Sequence, residues 1–379
     1  MRYIITILMV IFSLSSYADN DLILQKELLH IAENARQQYH LPALEITVHF
    51  PNQKPIQIYS GQINSQSLFQ VGSTTKTFTA ALVLKLVELH KLDLDDPLRK
   101  FFPEYSKWST ITIRQLLNHT SGIFDYTDSF LWWYRLDLFR SKIWTPSELV
   151  EIAYHHAPYF LVGKGWHYSN TDYVLLGMII EKVTQLKYRE ALDQYILSHD
   201  IHLPNTYYFP EKIPDEINTF IVHGYRNNKR DMTDINMSWL QAGGGMISNT
   251  NDLSNWYAAL FSFKILSKES LNQMLEFVSL KDGSLIQNDA ESGYGLSIFT
   301  MPTPSGKLWF TPGLTPGYTS LVAWLPCQKI SFSYITNDAI TKSGLHAYLI
   351  SEILKWISET NNKECADVVK SNQVIFPRF

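Results

Sequence analysis

The strand patterns of this 379-residue chain lie near its two ends, with helical patterns between them. Residues 43–50 alternate apolar and polar side chains, which is typical of a half-buried strand, and residues 55–61 continue the signal. Short β-rich segments separated by Gly and Pro turns return between residues 294 and 336. The economical arrangement joins both ends in one antiparallel sheet with helices on its faces, which predicts an α+β fold.

This arrangement predicts a chain divided into two subdomains. Residues 19–75 and 290–379 would form a discontinuous sheet subdomain, with residues 76–289 inserted as a mostly helical subdomain. Helical patterns over residues 21–40 and 341–360 supply the terminal helices that cover the sheet. We expect a ligand cleft where the two subdomains meet.

The first eighteen residues have the pattern of a signal peptide. Arg2 gives a short positive start, and residues 4–14 form an apolar run that is too short to span a bilayer. Ser16 and Ala18 place small side chains at the two positions that a signal peptidase reads. We therefore expect cleavage after Ala18 and a periplasmic or secreted mature protein. The alternative is an uncleaved anchor in the membrane interface.

The charge balance argues against a nucleic-acid partner. The net charge is -4, and no dense run of Lys and Arg occurs. No zinc-ligand spacing is present either, so we expect neither a metal nor a cofactor. The remaining partner class is a small molecule or peptide substrate, bound by a monomer. Cys327 and Cys365 are the two cysteines, and in an oxidising compartment they either pair as a disulfide or stay free.

One serine and one lysine stand together at the start of a long apolar helix pattern. In "VGSTTKTFTA" (residues 71–80), Ser73 and Lys76 are three residues apart, which places both on one helix face. A buried lysine with a lowered pKa can take the proton of a serine, and the free N–H groups of a helix start can stabilise an oxyanion. The alternative is a polar helix cap followed by a solvated lysine. This is the only S-x-x-K pair in the chain.

A second polar group follows at "GWHYSN" (residues 165–170). In an extended or tightly turned backbone, Tyr168 and Asn170 point the same way and can face one cleft. A tyrosine can shuttle protons and an amide can orient both a lysine and a substrate. The Y-x-N spacing recurs at residues 225–227, so the tripeptide alone does not select the first occurrence.

These motifs together resemble those of the serine β-lactamase and D-alanyl-D-alanine carboxypeptidase family, in its class C branch. The similarity covers about residues 40–345 and rests on segments that occur in the family's order: "VGSTTKTFTA", "LDLDDPLRKFFPE", "IRQLLNHTSGIFDY", "YSN", "QAGGGMISNTNDLSNW" and "YGLS". The motif sequence Y-S-N is the form usual in the carboxypeptidases, whereas the β-lactamases of the family usually carry Y-A-N. The resemblance implies a β-lactamase/transpeptidase-like fold.

The resemblance also implies roles for individual residues. Ser73 would be the acylated nucleophile, Lys76 and Tyr168 would share the proton transfers, and Asn170 would hold the substrate amide. Whether Lys76 or Tyr168 is the base stays open. The implied activity is D-Ala-D-Ala carboxypeptidase-like or related D-amino-acid peptide hydrolysis. The alternatives are a class C-like β-lactamase, a broad esterase, or a penicillin- or muropeptide-binding protein with little turnover.

The third family motif departs from its usual Lys-Thr-Gly or His-x-Gly spelling. Thr311, Pro312 and Gly313 take its position, so Thr311 and Gly313 are the expected substrate-binding residues. Gly313 would let the strand approach Ser73, and the N–H of Leu314 would join that of Ser73 in the oxyanion hole. Thr311 carries no charge, and Pro312 has neither a hydroxyl nor an N–H. This weakens the case for substrates with a free carboxylate and fits an esterase, an amidase or a peptidase that reads an uncharged position. The alternative is that a basic residue elsewhere, such as Arg226 or Arg230, supplies the cation.

Overall fold

The computed structural model of the chain describes residues 22–198, 201–288, 291–339 and 344–360. Within these residues the helices are α1 (22–39), α2 (Thr75–Glu88), α3 (Ile113–Leu117), α4 (Trp132–Leu138), α5 (Pro146–Tyr154), α6 (Asn170–Thr184), α7 (Tyr188–Leu192), α8 (Asp215–Asn218), α9 (Thr250–Phe261), α10 (Lys268–Met274) and α11 (Leu345–Thr360). The shorter 3₁₀ turns are Gly72–Thr74, Leu98–Lys100, Ser106–Trp108, Tyr126–Asp128, Met237–Trp239 and Gln241–Gly243, and a π turn covers Asp193–Leu197.

The strands are numbered in chain order. They are β1 (Leu44–His49), β2 (Ile56–Ser60), β3 (Phe69–Gln70), β4 (Tyr207–Tyr208), β5 (Tyr225–Arg226), β6 (Arg230–Asp231), β7 (Met246–Ser248), β8 (Val278–Ser279), β9 (Gly293–Tyr294), β10 (Phe299–Thr303), β11 (Gly306–Leu314), β12 (Thr319–Leu325), β13 (Ile330–Thr336) and β14 (Asp338–Ala339).

The main sheet joins the two ends of the chain, as the sequence predicts. Its order is β2-β1-β13-β12-β11-β10-β9-β8, and every neighbouring pair is antiparallel. Leu44 of β1 pairs with Thr336 of β13, although almost the whole chain separates them. The prediction of an α+β fold with an antiparallel sheet from both chain ends is confirmed.

Both faces of the sheet are covered, which explains why its central strands are buried throughout. Every residue of β12 and of β13 is buried. One apolar core lies between the sheet and the terminal helices α1 and α11, where Leu28 and Leu349 pack with Phe310. A larger core lies on the other face and contains apolar residues of α2, α6 and α9, such as Phe78, Leu175 and Trp256. The catalytic candidates lie on the side of this larger core.

Two small sheets connect the main sheet to the inserted segment. The order β3-β7-β4 forms one of them, and β14-β5-β6 forms the other. The first sheet fixes the chain just before Ser73, since the Val71 N–H donates to the Met246 carbonyl at 3.1 Å. The inserted segment therefore contains short strands as well as helices, and the predicted subdomain limits at residues 75/76 and 289/290 stay a prediction.

One predicted strand is wrong in its extent. We expect a single strand over residues 294–301, but the structure breaks it between Tyr294 and Phe299. Ser297 adopts a left-handed backbone conformation with φ of 78°, and the Gly295 N–H donates to the Ile298 carbonyl at 2.8 Å. This tight turn reverses the chain, so β9 and β10 become two antiparallel strands rather than one.

The structure describes only part of the residues that bear on three other expectations, which concern the signal peptide, the disulfide and membrane-spanning helices. The predicted signal peptide, residues 1–18, lies outside them. Cys327 is disulfide-bonded and not a free thiol, but Cys365 lies outside the described residues and the pairing stays a prediction. Across the part of the chain that the structure describes, no helix combines the length and the apolar character needed to cross a bilayer.

Candidate active site

A tight turn between β3 and α2 presents Ser73. The turn Gly72–Thr74 begins with a left-handed residue, because Gly72 has φ of +53°. A Cβ atom at Gly72 would lie 2.8 Å from both the nitrogen and the carbonyl oxygen of Leu314, so the close approach of turn and strand requires glycine. Ser73 is half-buried on this turn, and α2 starts two residues later.

The helix behind Ser73 is buried on nearly every side, and Lys76 is buried with it. Lys76 has no exposed surface, and its Nζ donates to Asn170 Oδ1 at 2.9 Å and to the Gly243 carbonyl at 2.7 Å. It also lies 3.2 Å from Ser73 Oγ. Burial lowers the pKa of Lys76 from 10.5 to about 7, although the nearby Asp125 carboxylate acts in the opposite direction. A substantial fraction of Lys76 is therefore neutral near pH 7.

Tyr168 contacts the same serine from the other side. Its hydroxyl donates to Ser73 Oγ at 2.7 Å. Burial raises the pKa of Tyr168, and the hydrogen bond with Ser73 offsets only part of this effect. The phenol thus keeps its proton at neutral pH. The Lys76 Nζ lies 4.8 Å from the centre of the Tyr168 ring, so the two side chains and Ser73 form one compact group.

Asn170 begins α6 and is held by a buried carboxylate. Asp125 Oδ2 accepts hydrogen bonds from the Asn170 backbone N–H at 2.9 Å and from Asn170 Nδ2 at 3.0 Å. This bond fixes the amide so that its Oδ1 faces Lys76. Asp125 is 3% exposed, and burial raises its pKa although the Asn170 and Thr127 N–H groups stabilise the charged form. The Asn170 amide thus accepts from Lys76 through Oδ1 and donates to Asp125 through Nδ2, and this arrangement orients Lys76.

The third motif lies on β11, directly against the Ser73 turn. A Cβ atom at Gly313 would lie 2.0 Å from the Val71 carbonyl and 2.4 Å from Ser320 Oγ, so no larger residue fits without moving the strand. This contact places Leu314 beside Gly72, as the predicted oxyanion hole of Ser73 and Leu314 requires. The structure therefore brings the two predicted oxyanion residues to neighbouring positions.

Thr311 lies in a different environment from Gly313. Its side chain is 2% exposed, its hydroxyl donates to the Ser297 carbonyl at 2.9 Å, and it accepts from the Tyr257 hydroxyl at 2.8 Å. The hydroxyl is thus satisfied inside the protein. A role of Thr311 in direct substrate binding stays a prediction, and these contacts argue for a structural role instead.

The structure brings Ser73, Lys76, Tyr168 and Asn170 into one hydrogen-bonded group. Sequence reasoning assigned no role to two further participants, the Asp125 carboxylate and the Gly243 carbonyl. Asp125 lies within the segment "IFDY". Its acidic side chain in a segment that resembles a family motif was the only sign in the sequence of a role in the site. A backbone carbonyl has no signal in the sequence, because every residue carries one.

The comparison with known families decides the identity of this fold. A family profile described as Beta-lactamase matches residues 30–355. The chain belongs to the β-lactamase family. This is the serine hydrolase family of penicillin-binding proteins, β-lactamases and D-amino acid amidases, and the fold is the β-lactamase/transpeptidase-like fold that the motifs imply.

The relatives in this family differ in activity. Penicillin-binding protein 4* of Bacillus subtilis (strain 168) is 27% identical over 305 residues, which are 75% of this chain and 65% of that protein. The chain thus spans less than two thirds of that relative's length. A solved D-stereospecific amidohydrolase from Streptomyces sp. is 30% identical, with a TM-score of 0.74 over 82% of this chain and 94% of its own.

The fold similarity extends further than the sequence similarity. The D-amino acid amidase from Ochrobactrum anthropi SV3, solved with D-phenylalanine, has a TM-score of 0.77 at 23% identity and covers 89% of this chain and 99% of its own. At this identity the similarity concerns the fold alone. Among the described residues no group of three His, Cys, Asp or Glu side chains is placed to hold a metal ion. The expected monomeric state stays a prediction.

Proposed function

We propose that the protein is an exported serine hydrolase that forms an acyl-enzyme on Ser73 and cleaves D-amino-acid amides or peptides. The observation that carries this proposal is the set of contacts around Ser73 Oγ, with the buried Lys76 amine at 3.2 Å and the Tyr168 hydroxyl at 2.7 Å. A serine becomes a nucleophile when a neighbouring base takes its proton. The D-stereospecific amidohydrolase among the solved relatives supports the substrate class.

The contacts of Lys76 favour it as the base. A neutral amine has two N–H groups and one lone pair. Asn170 Oδ1 and the Gly243 carbonyl can accept only, so they take the two N–H groups. The lone pair then faces Ser73, whose hydroxyl can donate to it. Because burial lowers the pKa of Lys76 to about 7, this neutral state is populated at physiological pH.

Tyr168 is suited to the opposite role, that of the acid. Burial raises its pKa, so it keeps its proton and presents it at the site where the leaving group departs. In acylation, Ser73 Oγ forms a bond to the substrate carbonyl carbon while its proton moves to Lys76. The tetrahedral intermediate then collapses, the bond to the leaving nitrogen breaks, and Tyr168 gives that nitrogen a proton and regains one from the Lys76 ammonium. Water later hydrolyses the ester on Ser73.

The charge of the cleft argues for substrates without a free carboxylate at the scissile end. In related enzymes the third motif supplies a cation, but here Thr311 takes that position and is bonded to Tyr257 and Ser297. Arg226 and Arg230 are the basic residues that could replace the cation, and of these Arg230 pairs with Asp137 at 2.5 Å. A charge-assisted hydrogen bond contributes about 1.5–3 kcal/mol. We therefore propose that a neutral amide or ester is preferred over a matched substrate with a free carboxylate.

The test measures acylation and hydrolysis together. The purified protein is incubated with the p-nitrophenyl ester of D-phenylalanine and, separately, with benzylpenicillin, and intact-mass spectrometry follows the adduct. We expect an adduct on Ser73. In a parallel hydrolysis assay with phenylalanine amide, the D-isomer should release product faster than the L-isomer. Ser73→Ala should form no adduct while it stays folded, whereas Ser198→Ala, a change at an exposed serine, should behave as the parent does.

The same test separates the proposal from its alternatives. An adduct that persists without release of product would identify a penicillin- or muropeptide-binding protein with little turnover, which the altered third motif favours. Rapid hydrolysis of benzylpenicillin with little amidase activity would indicate a β-lactamase. Adducts that form equally on the Ser73→Ala variant would show that Ser73 is not the nucleophile.

The proposal of export rests on the first eighteen residues of the sequence. Their positive start, short apolar run and small residues before the cleavage position are typical of a signal peptide. The mature chain should begin at Asp19. N-terminal sequencing of the protein from the exported fraction tests this, and a protein that keeps Met1 and stays in the cytoplasm would contradict export.

A further inference from the structure

A buried histidine holds the chain on both sides of Tyr168. The carbonyl of His119 accepts from the His167 N–H at 3.1 Å, and its Nδ1 lies 3.4 Å from the Ser169 N–H. Its ring also packs on the Tyr168 ring, with a distance of 4.5 Å between the ring centres. One residue therefore contacts the residue before Tyr168, the residue after it and the phenol ring itself.

The histidine is in turn fixed to α6 by a carboxyl group. Asp172, in the first turn of α6, lies with its Oδ2 3.0 Å from His119 Nδ1. Its other oxygen accepts from Ser121 Oγ at 2.7 Å. His119 and Asp172 have no exposed surface. His119 also has a left-handed backbone with φ of 62°, so the turn that carries it has a defined shape.

The protonation of this pair follows from its burial. Burial lowers the pKa of His119 well below its usual value and raises the pKa of Asp172 well above its usual value. Burial thus disfavours the charged form of each group, and the pair shares one hydrogen bond between Asp172 Oδ2 and His119 Nδ1.

We infer that His119 and Asp172 are positioning residues for the reaction, which hold Tyr168 where its hydroxyl can give a proton to the leaving group. This inference rests on the proposed function and adds the residues that control one of its steps. Neither residue contacts Ser73. Their effect would pass through the position of the phenol, and a displacement of about 1 Å in a catalytic group can lower a rate about 100-fold.

The inference predicts an effect that depends on the leaving group. A p-nitrophenolate leaves as a stable anion and needs no proton, whereas an anilide nitrogen must be protonated as it leaves. We measure kcat/KM for D-phenylalanine p-nitroanilide and for D-phenylalanine p-nitrophenyl ester. His119→Ala and Asp172→Ala should lose about 100-fold on the anilide, and about 5-fold or less on the ester. Tyr168→Phe should show the same selective loss.

Two further variants serve as controls. An asparagine in Asp172→Asn can keep a hydrogen bond to both His119 Nδ1 and Ser121 Oγ, so its ratio of anilide to ester activity should stay close to that of the parent. Tyr188→Phe removes a buried phenol that bonds to Thr79 Oγ1 at 2.6 Å, which is a comparable packing change at another place. Its ratio should not change, since a general loss of stability affects both substrates alike.

The ratio of the two activities decides the outcome even for a poorly folded variant, because the fraction of active protein cancels from it. If neither alanine variant can be purified, Ser121→Ala provides the milder test and should lower the ratio about 5-fold. Equal losses on both substrates in the variants would overturn the positioning role while leaving the proposed function intact. A parent that hydrolyses neither substrate would overturn the proposed function, and the inference with it.

Discussion

At the scale of single residues, the ionisation of Lys76 sets the pH range in which Ser73 can be activated. Burial lowers the pKa of Lys76 to about 7, so below this pH the amine is protonated and has no lone pair for the serine proton. The acylation rate with a neutral ester should therefore rise with pH, with a midpoint near 7. Single-turnover acylation of the p-nitrophenyl ester between pH 5 and pH 9 measures this midpoint.

The Lys76→Ala variant is the control for that profile. It should lose at least about 100-fold in rate, the lower range for general base catalysis, and it should no longer show the midpoint near pH 7. A midpoint above pH 9 in the parent would mean that Lys76 titrates as an exposed lysine does, and the geometry around Ser73 would need another base.

Thr311 gives a second prediction at this scale, because its two hydrogen bonds point into the protein. Thr311→Val leaves the Tyr257 hydroxyl and the Ser297 carbonyl without a partner. The free energy of unfolding should fall by about 1–3 kcal/mol, with kcat/KM for D-phenylalanine amide within about 3-fold of the parent value. Urea denaturation and steady-state kinetics provide the two numbers, with Thr311→Ser as the variant that keeps the hydroxyl. A large rise in KM at unchanged stability would restore the substrate-binding role.

The sequence predicts much of the site at this scale, and the reason is chemical. Ser73, Lys76, Tyr168 and Asn170 act through their side chains, so their residue types and spacing are visible in the sequence. The Gly243 carbonyl, 2.7 Å from Lys76, acts through the backbone and is visible only in three dimensions. The burial that gives Lys76 its low pKa also depends on packing from distant segments.

At the scale of secondary structure, β11 shows how a proline can lie inside a sheet. The sequence predicts a strand over residues 307–310, but β11 continues through Pro312 to Leu314. Its neighbour β10 pairs only as far as Phe310, so beyond that point β11 has one partner, β12. A proline needs no hydrogen bond on the open edge.

The same strand end carries a prediction about Gly313. An added Cβ atom would lie 2.0 Å from the Val71 carbonyl, so Gly313→Ala must push β11 away from the turn that carries Ser73. We expect slower acylation by the p-nitrophenyl ester and a lower melting temperature. Stopped-flow acylation and thermal denaturation monitored by circular dichroism measure these effects. An acylation rate equal to that of the parent would show that the strand position does not matter for the reaction.

At the scale of the whole molecule, the sheet explains why the two chain ends must come together. β1 and β2 cannot bury their apolar sides alone, and β1 obtains its second neighbour from β13 near the other end of the chain. The alternating residues 43–50 and the short β-rich segments near the other end of the chain predict this arrangement. The sequence also indicates a strand over residues 67–71, which contains β3, but the pairing in the small sheets could not be predicted, because two-residue strands such as β4 are too short to show a period.

The disulfide belongs to this scale, because it would connect the sheet to the end of the chain. Cys327 lies in the turn after Leu325, whereas β12 starts at Thr319, which pairs with Leu314 beside the active site. At about 3.3 Å per residue, the length of β12 places the cysteine roughly 20 Å from that end. The bridge predicted between Cys327 and Cys365 should therefore affect stability and not catalysis.

The prediction is a loss of about 2–4 kcal/mol in the free energy of unfolding for Cys327→Ser, the usual contribution of a native disulfide. Cys365→Ser should give the same loss, and the double variant should lose no more than either single one, since each change removes the same bond. Urea denaturation measures the three values, and kcat/KM for D-phenylalanine amide should stay at the parent level throughout. If the two single losses add in the double variant, the cysteines contribute separately and the predicted bridge between them is wrong.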